Sequence, residues 1–310
     1  MICNDRVMGI KPKVTVIIAV YKDNERLNKC IEALDVQTYS KELMNVIIVN
    51  NDPEGDVKIT IDHSLNLSIL NEVRPGSYAA RNLGIKSADA EVLAFADSDC
   101  IPSKTWITEA ITSLKPYIQD KVILAGKVEL IFQDMDKLTF AECYEKGFAF
   151  PHQRGDNKFL DGMVAGNVFI MAKTFKEIGL FNCNLLSGGD SEFSKRARDH
   201  NYLILYNPNC IVYHPAKYKL KEILQKRRRI FGGKVYRSAY VQKEGLVYSL
   251  FKTLYKQTIR YIKELVQVFR MSEIGGFYCR CKVITVIFLI LISINIEFLS
   301  FAITRKMKRR

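Results

Sequence analysis

Two aspartates two positions apart, Asp97 and Asp99, are the first residues in the chain whose types and spacing suit chemistry. They directly follow the short apolar run 91–96 (EVLAFA), which has the composition of a buried strand. Paired carboxylates repel each other unless a cation lies between them, and hard divalent ions such as Mg²⁺ or Mn²⁺ prefer oxygen ligands and bridge to phosphates. The pattern therefore predicts a metal site, with a solvated acidic turn as the alternative.

A second candidate group surrounds Arg81 in the segment 74–84 (RPGSYAARNLG). A Pro-Gly turn that enters a helix leaves unpaired backbone N–H groups at the helix start, and these can hold an anion. The guanidinium of Arg81 adds donors that suit a phosphate or the edge of a base. An ordinary helix with a surface arginine is the alternative.

The third group is Asp190 within 188–192 (GGDSE). A carboxylate at a helix start after a Gly-Gly turn is often a simple N-cap. It can also be a general base that is held at the mouth of a site. The residues alone leave both interpretations open.

Strands and helices alternate through the first half of the chain, and these elements must position the candidate residues. The predicted strands are 14–20, 45–49, 66–70 and 91–96, and the predicted helices are 24–34, 77–87 and about 103–114. This order indicates an α/β fold with a Rossmann-like, mostly parallel sheet and helices on both of its faces. Ligands bind at the carboxyl ends of the strands in such sheets, which is where Asp97 and Asp99 fall.

Charge divides the chain into a mildly acidic body and a strongly basic tail. Residues 215–310 carry 22 Lys and Arg against five Glu, whereas residues 1–214 carry 24 basic and 28 acidic residues. Such a tail suggests an anionic partner, either lipid headgroups or nucleic acid. The eight cysteines form no CxxC pair and show no zinc spacing, which favours a reducing, cytoplasmic setting.

Apolar residues alternate with the basic residues of the tail. This pattern favours a membrane over nucleic acid as the anionic partner. The stretch 246–269 is predicted to be amphipathic, with Val247, Leu250, Leu254, Ile262, Leu265 and Phe269 on one face and lysines on the other. Residues 283–303 would form a helix of about 32 Å, which matches a bilayer core of about 30 Å. A single span, a re-entrant helix or a buried helix in a soluble oligomer remain the alternatives for 283–303. We therefore predict a catalytic domain at 1–216, a basic amphipathic helical region at 217–275 and a membrane-anchoring helix with a basic tail at 276–310.

Four segments, in this order, resemble the family 2 glycosyltransferases, which have the GT-A fold. They are 14–27 (VTVIIAVYKDNERL), 45–52 (NVIIVNND), 75–102 (PGSYAARNLGIKSADAEVLAFADSDCIP) and 188–215 (GGDSEFSKRARDHNYLILYNPNCIVYHP). The resemblance spans about residues 14–215, and its two long motifs are specific. It implies a GT-A fold and the transfer of a sugar from a nucleotide donor.

The resemblance assigns donor binding to four residues. Tyr21 matches the position that packs on the nucleotide base, Arg81 matches a basic residue near base or phosphate, and Asp97 matches a carboxylate near the ribose and the metal. Asp52 stands close to the position where an Asp commonly contacts the base. Since that position here is Asn50, either side chain is a candidate for this contact.

The resemblance also assigns the metal site and the catalytic base. Asp99, with Asp97, matches the carboxylates that hold Mn²⁺ or Mg²⁺ on the donor diphosphate. His214 matches a further metal ligand of some members, with a structural histidine as the alternative. Asp190 matches the base that deprotonates the acceptor hydroxyl. Gly189 departs from the pattern, because an acidic residue often precedes the base.

These assignments imply an inverting, metal-dependent glycosyltransferase. It would move a sugar from a nucleotide-diphosphate sugar, a UDP-sugar first, to a hydroxyl of a glycan or lipid-linked acceptor. The expected setting is the cytoplasmic face of the cell inner membrane, in bacterial surface polysaccharide or glycolipid synthesis, with no nucleic-acid partner. A catalytically inactive GT-A-like nucleotide-sugar-binding module is the alternative, and the presence of Asp97, Asp99 and Asp190 argues against it.

Overall fold

One sheet of eight strands organises the part of the chain that the computed structural model describes, residues 11–150, 153, 158–185 and 187–304. The strand order is β3-β2-β1-β4-β7-β6-β8-β5. The strands are β1 (Val14–Val20), β2 (Met44–Asn50), β3 (Asn66–Asn71), β4 (Val92–Asp97), β5 (Ile101–Pro102), β6 (Val122–Ile131), β7 (Asn167–Met171) and β8 (Leu203–Pro215). Each of the four strands predicted from the sequence lies within one or two residues of its expected position.

The sheet is parallel where the sequence predicted it and antiparallel beyond. Strands β1, β2, β3 and β4 pair in parallel, with Ile17 opposite Ile47 on one side and Phe95 on the other. Strand β7 then runs antiparallel to both β4 and β6, and β5 runs antiparallel to β8. The α/β fold class is therefore confirmed, with a mixed sheet rather than a mostly parallel one.

Burial explains why the central strands are continuous apolar runs. Ile17, Ile18 and Phe95 have no solvent exposure, and each such side chain contributes about 1.5–3 kcal/mol by leaving water. Helices follow almost every strand in the chain. They are α1 (Asn24–Asp35), α2 (Ser77–Ser87), α3 (Trp106–Leu114), α4 (Phe140–Phe148), α5 (Ala172–Ile178) and α6 (Gly189–Asp199).

The described chain forms two compact units. The sheet unit comprises Met1–Glu129, Gly155–Cys183 and Gly189–His214, and the helical unit comprises Leu130–Arg154, Asn184–Gly188 and Pro215–Arg310. The change at residue 215 lies next to the predicted boundary at 216. The helical unit also takes in α4, which no motif in the sequence indicates. The further division of the tail at residue 275 stays a prediction of domain organisation.

Long helices build the helical unit. They are α7 (Leu220–Tyr236), a π-helical segment (Arg237–Val241), α8 (Leu246–Val268) and α9 (Phe277–Thr304). Helix α9 packs against α4, α7 and α8, and its residues Val283, Ile287 and Ile290 are fully buried. One described helix, Phe277–Ala302, has the length and composition to cross a membrane, and a third of its most apolar window is buried in the protein. The basic tail predicted at 305–310 lies outside the described residues.

Helix α8 is polar on its buried side and apolar on its exposed side. It buries Ser249, Thr253, Gln257, Tyr261 and Glu264, and it exposes Val247, Tyr248, Phe251, Tyr255, Ile262, Val266 and Phe269. Leu250, which the sequence placed on the same apolar face as Val247, is instead buried in the unit. Soluble proteins place polar residues outside, so α8 has the reverse of the usual arrangement.

Candidate active site

Asp97 and Asp99 lie at the carboxyl end of β4 and in the turn that follows it. Ligand atoms of Asp97, Asp99 and Cys100 all lie within 4.8 Å of one another. Asp99 Oδ2 lies 3.5 Å from His214 Nε2 and 3.5 Å from Arg26 Nη1. The structure thus places Asp97 beside Asp99 and places His214 against Asp99, and it adds Arg26 and Cys100 to the residues around this pair.

The donor atoms of this cluster fit a hard divalent cation. Two carboxylates and an imidazole suit Mn²⁺ or Mg²⁺. Burial, and next the charges of Asp97 and Asp99, raise the pKa of the Cys100 thiol well above its ordinary value. Thiolate is a ligand for soft metals, whereas Mn²⁺ and Mg²⁺ prefer oxygen ligands, so Cys100 is not expected to hold such an ion. Asp97, Asp99 and His214 are the residues that would hold the ion.

Arg81 is buried, with 5% of its side chain exposed, and its guanidinium contacts the Asp97 carboxylate. Burial alone would lower its pKa, but the charges of Asp97 and then Asp190 raise it above the usual value. The side chain therefore remains a cation inside the site. The alternative of an ordinary surface arginine is wrong.

Asp190 lies in the first turn of α6. Its Oδ2 accepts a hydrogen bond from the Ala165 N–H at 3.3 Å. Its Oδ1 is buried and has no hydrogen-bond partner among the described residues. Burial raises the pKa of Asp190, although the nearby charge of Arg81 acts in the opposite direction. A buried carboxylate with a free oxygen and a raised pKa has the properties of a general base.

Tyr78, which the sequence analysis did not single out, caps the start of α6. Its hydroxyl accepts the N–H groups of Gly189 at 3.0 Å and Asp190 at 3.3 Å. These are the groups that an N-cap side chain would otherwise satisfy, so the N-cap interpretation of Asp190 is not needed. A Cβ atom at Gly189 would lie 2.6 Å from the Tyr78 ring, which explains the glycine at this position.

The turn that precedes β7 lies against both Asp190 and Asp97. Ala165 donates its N–H to Asp190, and a Cβ atom at the next residue, Gly166, would lie 2.9 Å from Asp97 Oδ2. A larger residue at 166 would require the Asp97 carboxylate to move from its present position. The sequence indicated a glycine-interrupted turn here but not its role, because the contact depends on pairing between the distant strands β4 and β7.

A pocket of about 240 Å³ opens at the carboxyl ends of β1 and β2. Asp52 and Asn50 both line it. The Asn50 side chain is fully engaged within the protein, with Gly55 O, Asn71 Oδ1 and the Asp52 N–H. Asp52 is therefore the better candidate for contact with a base. Tyr21 lies next to the pocket residues Val20 and Lys22 in the chain, and its ring is 60% exposed.

A parallel half-sheet with an acidic pair after β4 and a half-buried aspartate in the first turn of α6 is an arrangement that fits the GT-A fold. Residues 15–179, just over half of the chain, match the family model Glycosyl transferase family 2. The chain belongs to this family of glycosyltransferases.

Individual relatives point the same way. Glycosyltransferase AglE of Haloferax volcanii is 33% identical over 231 residues, which cover 72% of this chain and 73% of that protein. A Methanococcus voltae protein named dolichyl N-acetyl-alpha-D-glucosaminyl phosphate 3-beta-D-2,3-diacetamido-2,3-dideoxy-beta-D-glucuronosyltransferase is 23% identical, over 68% of this chain and 70% of its own length.

Solved structures support the fold. The mannosyltransferase PcManGT from Pyrobaculum calidifontis, in complex with GDP-Man and Mn²⁺, superposes with a TM-score of 0.55 at 13% identity, and covers 94% of this chain and 88% of its own. GalNAc-T7, solved with UDP, GalNAc and Mn²⁺, gives a TM-score of 0.54 at 14% identity over 76% of this chain and 52% of its own. The predicted family, fold class and transferase activity are confirmed, whereas the roles of individual residues stay predictions.

Proposed function

We propose that this protein transfers a sugar from a nucleotide-diphosphate sugar to an acceptor hydroxyl with inversion at the anomeric carbon. The observation that carries the proposal is the turn at 165 and 166, which touches Asp190 with one residue and Asp97 with the next. A base for the acceptor and a carboxylate for the donor side thus lie against the same turn.

Each of these residues has a distinct task. Asp190 accepts the proton of the acceptor hydroxyl, because a neutral sugar hydroxyl is a poor nucleophile. Arg81 holds Asp97 in place, and its buried positive charge favours the negative charge that develops on the departing diphosphate. A divalent cation at Asp97, Asp99 and His214 would supply further stabilisation of that charge. The Asp52 carboxylate and the exposed Tyr21 ring would contact the base.

Two observations support the proposal of a nucleotide-sugar donor. The pocket at Asp52 is at the edge of the sheet where bases bind in related folds, and the two structural neighbours were solved with UDP or with GDP-Man. A UDP-sugar donor with Mn²⁺ is the proposal to test first. A thermal-shift screen of UDP-, GDP- and dTDP-sugars, each with and without Mn²⁺, should show stabilisation by one base that requires the metal. No stabilisation by any nucleotide sugar would contradict the proposal.

Stereochemistry is the sharpest test of the mechanism. Direct attack by an acceptor that Asp190 deprotonates inverts the anomeric centre, so an α-linked nucleotide sugar should give a β-linked product. The anomeric coupling constant of the isolated product, measured by proton NMR, distinguishes the two outcomes. An α-linked product would exclude a single displacement, and binding without any product would indicate the inactive module instead.

The acceptor is proposed to be a lipid-linked glycan. The Methanococcus voltae relative is named for an acceptor on dolichyl phosphate. The apolar outer face of α8 also fits an enzyme whose substrate lies in a membrane. A soluble glycan acceptor is the alternative, and the setting that we propose is the synthesis of a cell-surface polysaccharide or glycolipid.

We place the enzyme on the cytoplasmic face of the inner membrane, with the exposed side of α8 in contact with lipid. On this side, Lys256 and Lys263 are exposed next to the apolar arc that includes Tyr255 and Ile262. Amphipathic helices of this type lie in the interface, and each lysine near anionic lipid contributes about 1 kcal/mol. Helix α9 would add its exposed residues Phe288 and Ile292.

Replacing three exposed residues of α8, Val247, Tyr255 and Val266, with Glu should weaken vesicle binding. Each substitution places a charge on the face that would enter the lipid, so we expect the partition coefficient to fall at least about tenfold, which is about 1.4 kcal/mol. Flotation with phosphatidylglycerol-containing vesicles measures this. Val36→Glu, at an exposed position after α1, is the matched control and should float like wild type. Equal flotation of the triple variant, or wild type that stays soluble without detergent, would contradict the proposal.

A further inference from the structure

The helical unit holds a group of basic side chains that the proposed active site does not use. We define the basic cluster as Arg227 and Lys234 of α7, Arg237 of the π-helical segment and Arg260 of α8. Arg260, Arg237 and Arg227 all act on Lys234 by charge repulsion. Within the described part of the chain, neither Lys234 nor Arg237 forms an ion pair.

Arg227 is the buried member of the basic cluster, and one of its N–H donors lacks a hydrogen-bond acceptor. The residue is 8% exposed, its Nη2 donates to Tyr144 Oη at 2.8 Å, and its guanidinium lies over the Tyr144 ring at 5.2 Å. Its Nε is buried and has no hydrogen-bond partner among the described residues. A buried donor without an acceptor is costly, so this N–H indicates an acceptor that the described chain does not supply.

The nearby carboxylates are already engaged. Glu264 accepts from Arg260 Nε at 2.8 Å through one oxygen and from Tyr144 Oη at 3.0 Å through the other. Glu145 accepts from Lys226 Nζ at 2.9 Å and from the Lys217 N–H at 2.7 Å. The basic cluster therefore carries an excess of positive charge in a partly buried place.

Burial, followed by the three arginines, lowers the pKa of Lys234 to about 8. Repulsion of this kind is relieved when an anion binds between the cations. Phosphate is an anion whose geometry and charge suit both arginine and lysine donors.

Exposed apolar side chains adjoin the basic cluster along the chain. The π-helical segment that contributes Arg237 also exposes Tyr240 and Val241, and the Tyr236 and Tyr240 rings lie 5.1 Å apart. Short π-helical segments are frequent at functional sites. A ligand with an anionic head and an apolar chain would satisfy both features.

We propose that the basic cluster binds the phosphate of an amphiphilic carrier, with the apolar chain against Tyr240 and Val241. The proposal deepens the proposed function, because it rests on an acceptor that is linked to a lipid through phosphate. The basic cluster would be the part of the protein that recognises the carrier, as distinct from the part that recognises the sugar.

Calorimetric titration of the full chain in neutral detergent micelles tests the proposal, without nucleotide sugar or metal. The probes are farnesyl phosphate, farnesol and inorganic phosphate. Farnesyl phosphate should bind more tightly than either of the others. Lys234→Met and Arg237→Gln should each weaken its binding about tenfold or more, as expected for the loss of a charge-assisted hydrogen bond. Lys221→Met, at an exposed position on α7, is the control and should bind like wild type.

Three outcomes would overturn the proposal. Equal affinities of wild type, Lys234→Met and Arg237→Gln for farnesyl phosphate would show that the basic cluster is structural. Farnesol that binds as tightly as farnesyl phosphate would show that the phosphate is not recognised, and inorganic phosphate that binds as tightly would show that the carrier chain is not. Since the titration contains no sugar donor, its failure would leave the transfer reaction untouched, and a failure of transfer would leave the titration interpretable.

Discussion

Asp190→Asn is expected to lower the rate of sugar transfer about 10²–10⁴-fold while donor affinity stays nearly unchanged. The amide keeps the size of the side chain but cannot accept the proton of the acceptor hydroxyl. Single-turnover rates and donor titrations on the same samples separate the two effects. Asp199→Asn, on the exposed end of the same helix where Asp199 pairs with Lys195, is the matched control and should transfer normally.

The pH profile gives the same hypothesis a second test. Burial raises the pKa of Asp190, and only the ionised carboxylate can act as a base. Wild-type transfer should therefore fall as the pH is lowered through this raised pKa, at a higher pH than the value of about 3.9 for an ordinary aspartate. The residual activity of Asp190→Asn should lack this acid limb. Wild-type-like turnover by Asp190→Asn would assign the base to another residue.

Asp99→Ala is expected to remove the metal-dependent part of donor binding. The Asp99 side chain is 16% exposed and lies in a turn after β4, so its loss should leave the fold intact. We expect the affinity for the nucleoside diphosphate in Mn²⁺ to fall at least about tenfold, or about 1.4 kcal/mol, towards the affinity without metal.

Calorimetry with and without Mn²⁺ measures this loss, and circular dichroism checks the fold. Asp89→Ala, an exposed aspartate shortly before β4, should bind the donor as wild type does. Unchanged affinity of Asp99→Ala in Mn²⁺ would remove Asp99 from the metal site.

The sequence predicted the parallel half of the sheet because its strands carry their own signal. Runs such as 14–20 are apolar throughout, since both faces of those strands are covered by helices. Strand β7 is also fully buried, but a glycine-interrupted run does not reveal its partners. Its antiparallel place between β4 and β6 depends on contacts between residues far apart in the chain, for which periodicity gives no signal.

The sequence predicted which residues belong to the site, but it did not predict how they are arranged in space. Asp97 does lie beside Asp99, His214 does lie against Asp99, and Arg81 does contact Asp97. Tyr78 and Gly166 were missed because their roles depend on contacts between residues far apart in the chain: the Tyr78 hydroxyl caps α6 and packs on Gly189, and Gly166 leaves space for Asp97. Roles of this kind have no signature in a single sequence.

Helix α8 shows a different limit of sequence periodicity. An amphipathic pattern establishes that a helix has two faces, but not which face the protein covers. Leu250 packs inward, whereas Val247, Ile262 and Phe269 remain exposed. The deciding factor is the set of buried polar partners, such as Tyr144 for Glu264, and these come from another helix.

The packing of Tyr78 over Gly189 sets a rule for how the two positions can diverge in evolution. Tyr78 is itself 7% exposed, so its ring has little room to move aside for a new side chain at 189. Loss of the tyrosine, in turn, would leave two backbone N–H groups at the start of α6 without their acceptor. A substitution at either position therefore requires a compensating substitution at the other. Family members with an acidic residue before the base should therefore carry a smaller residue in place of the tyrosine, and the two positions should covary as a pair across the family.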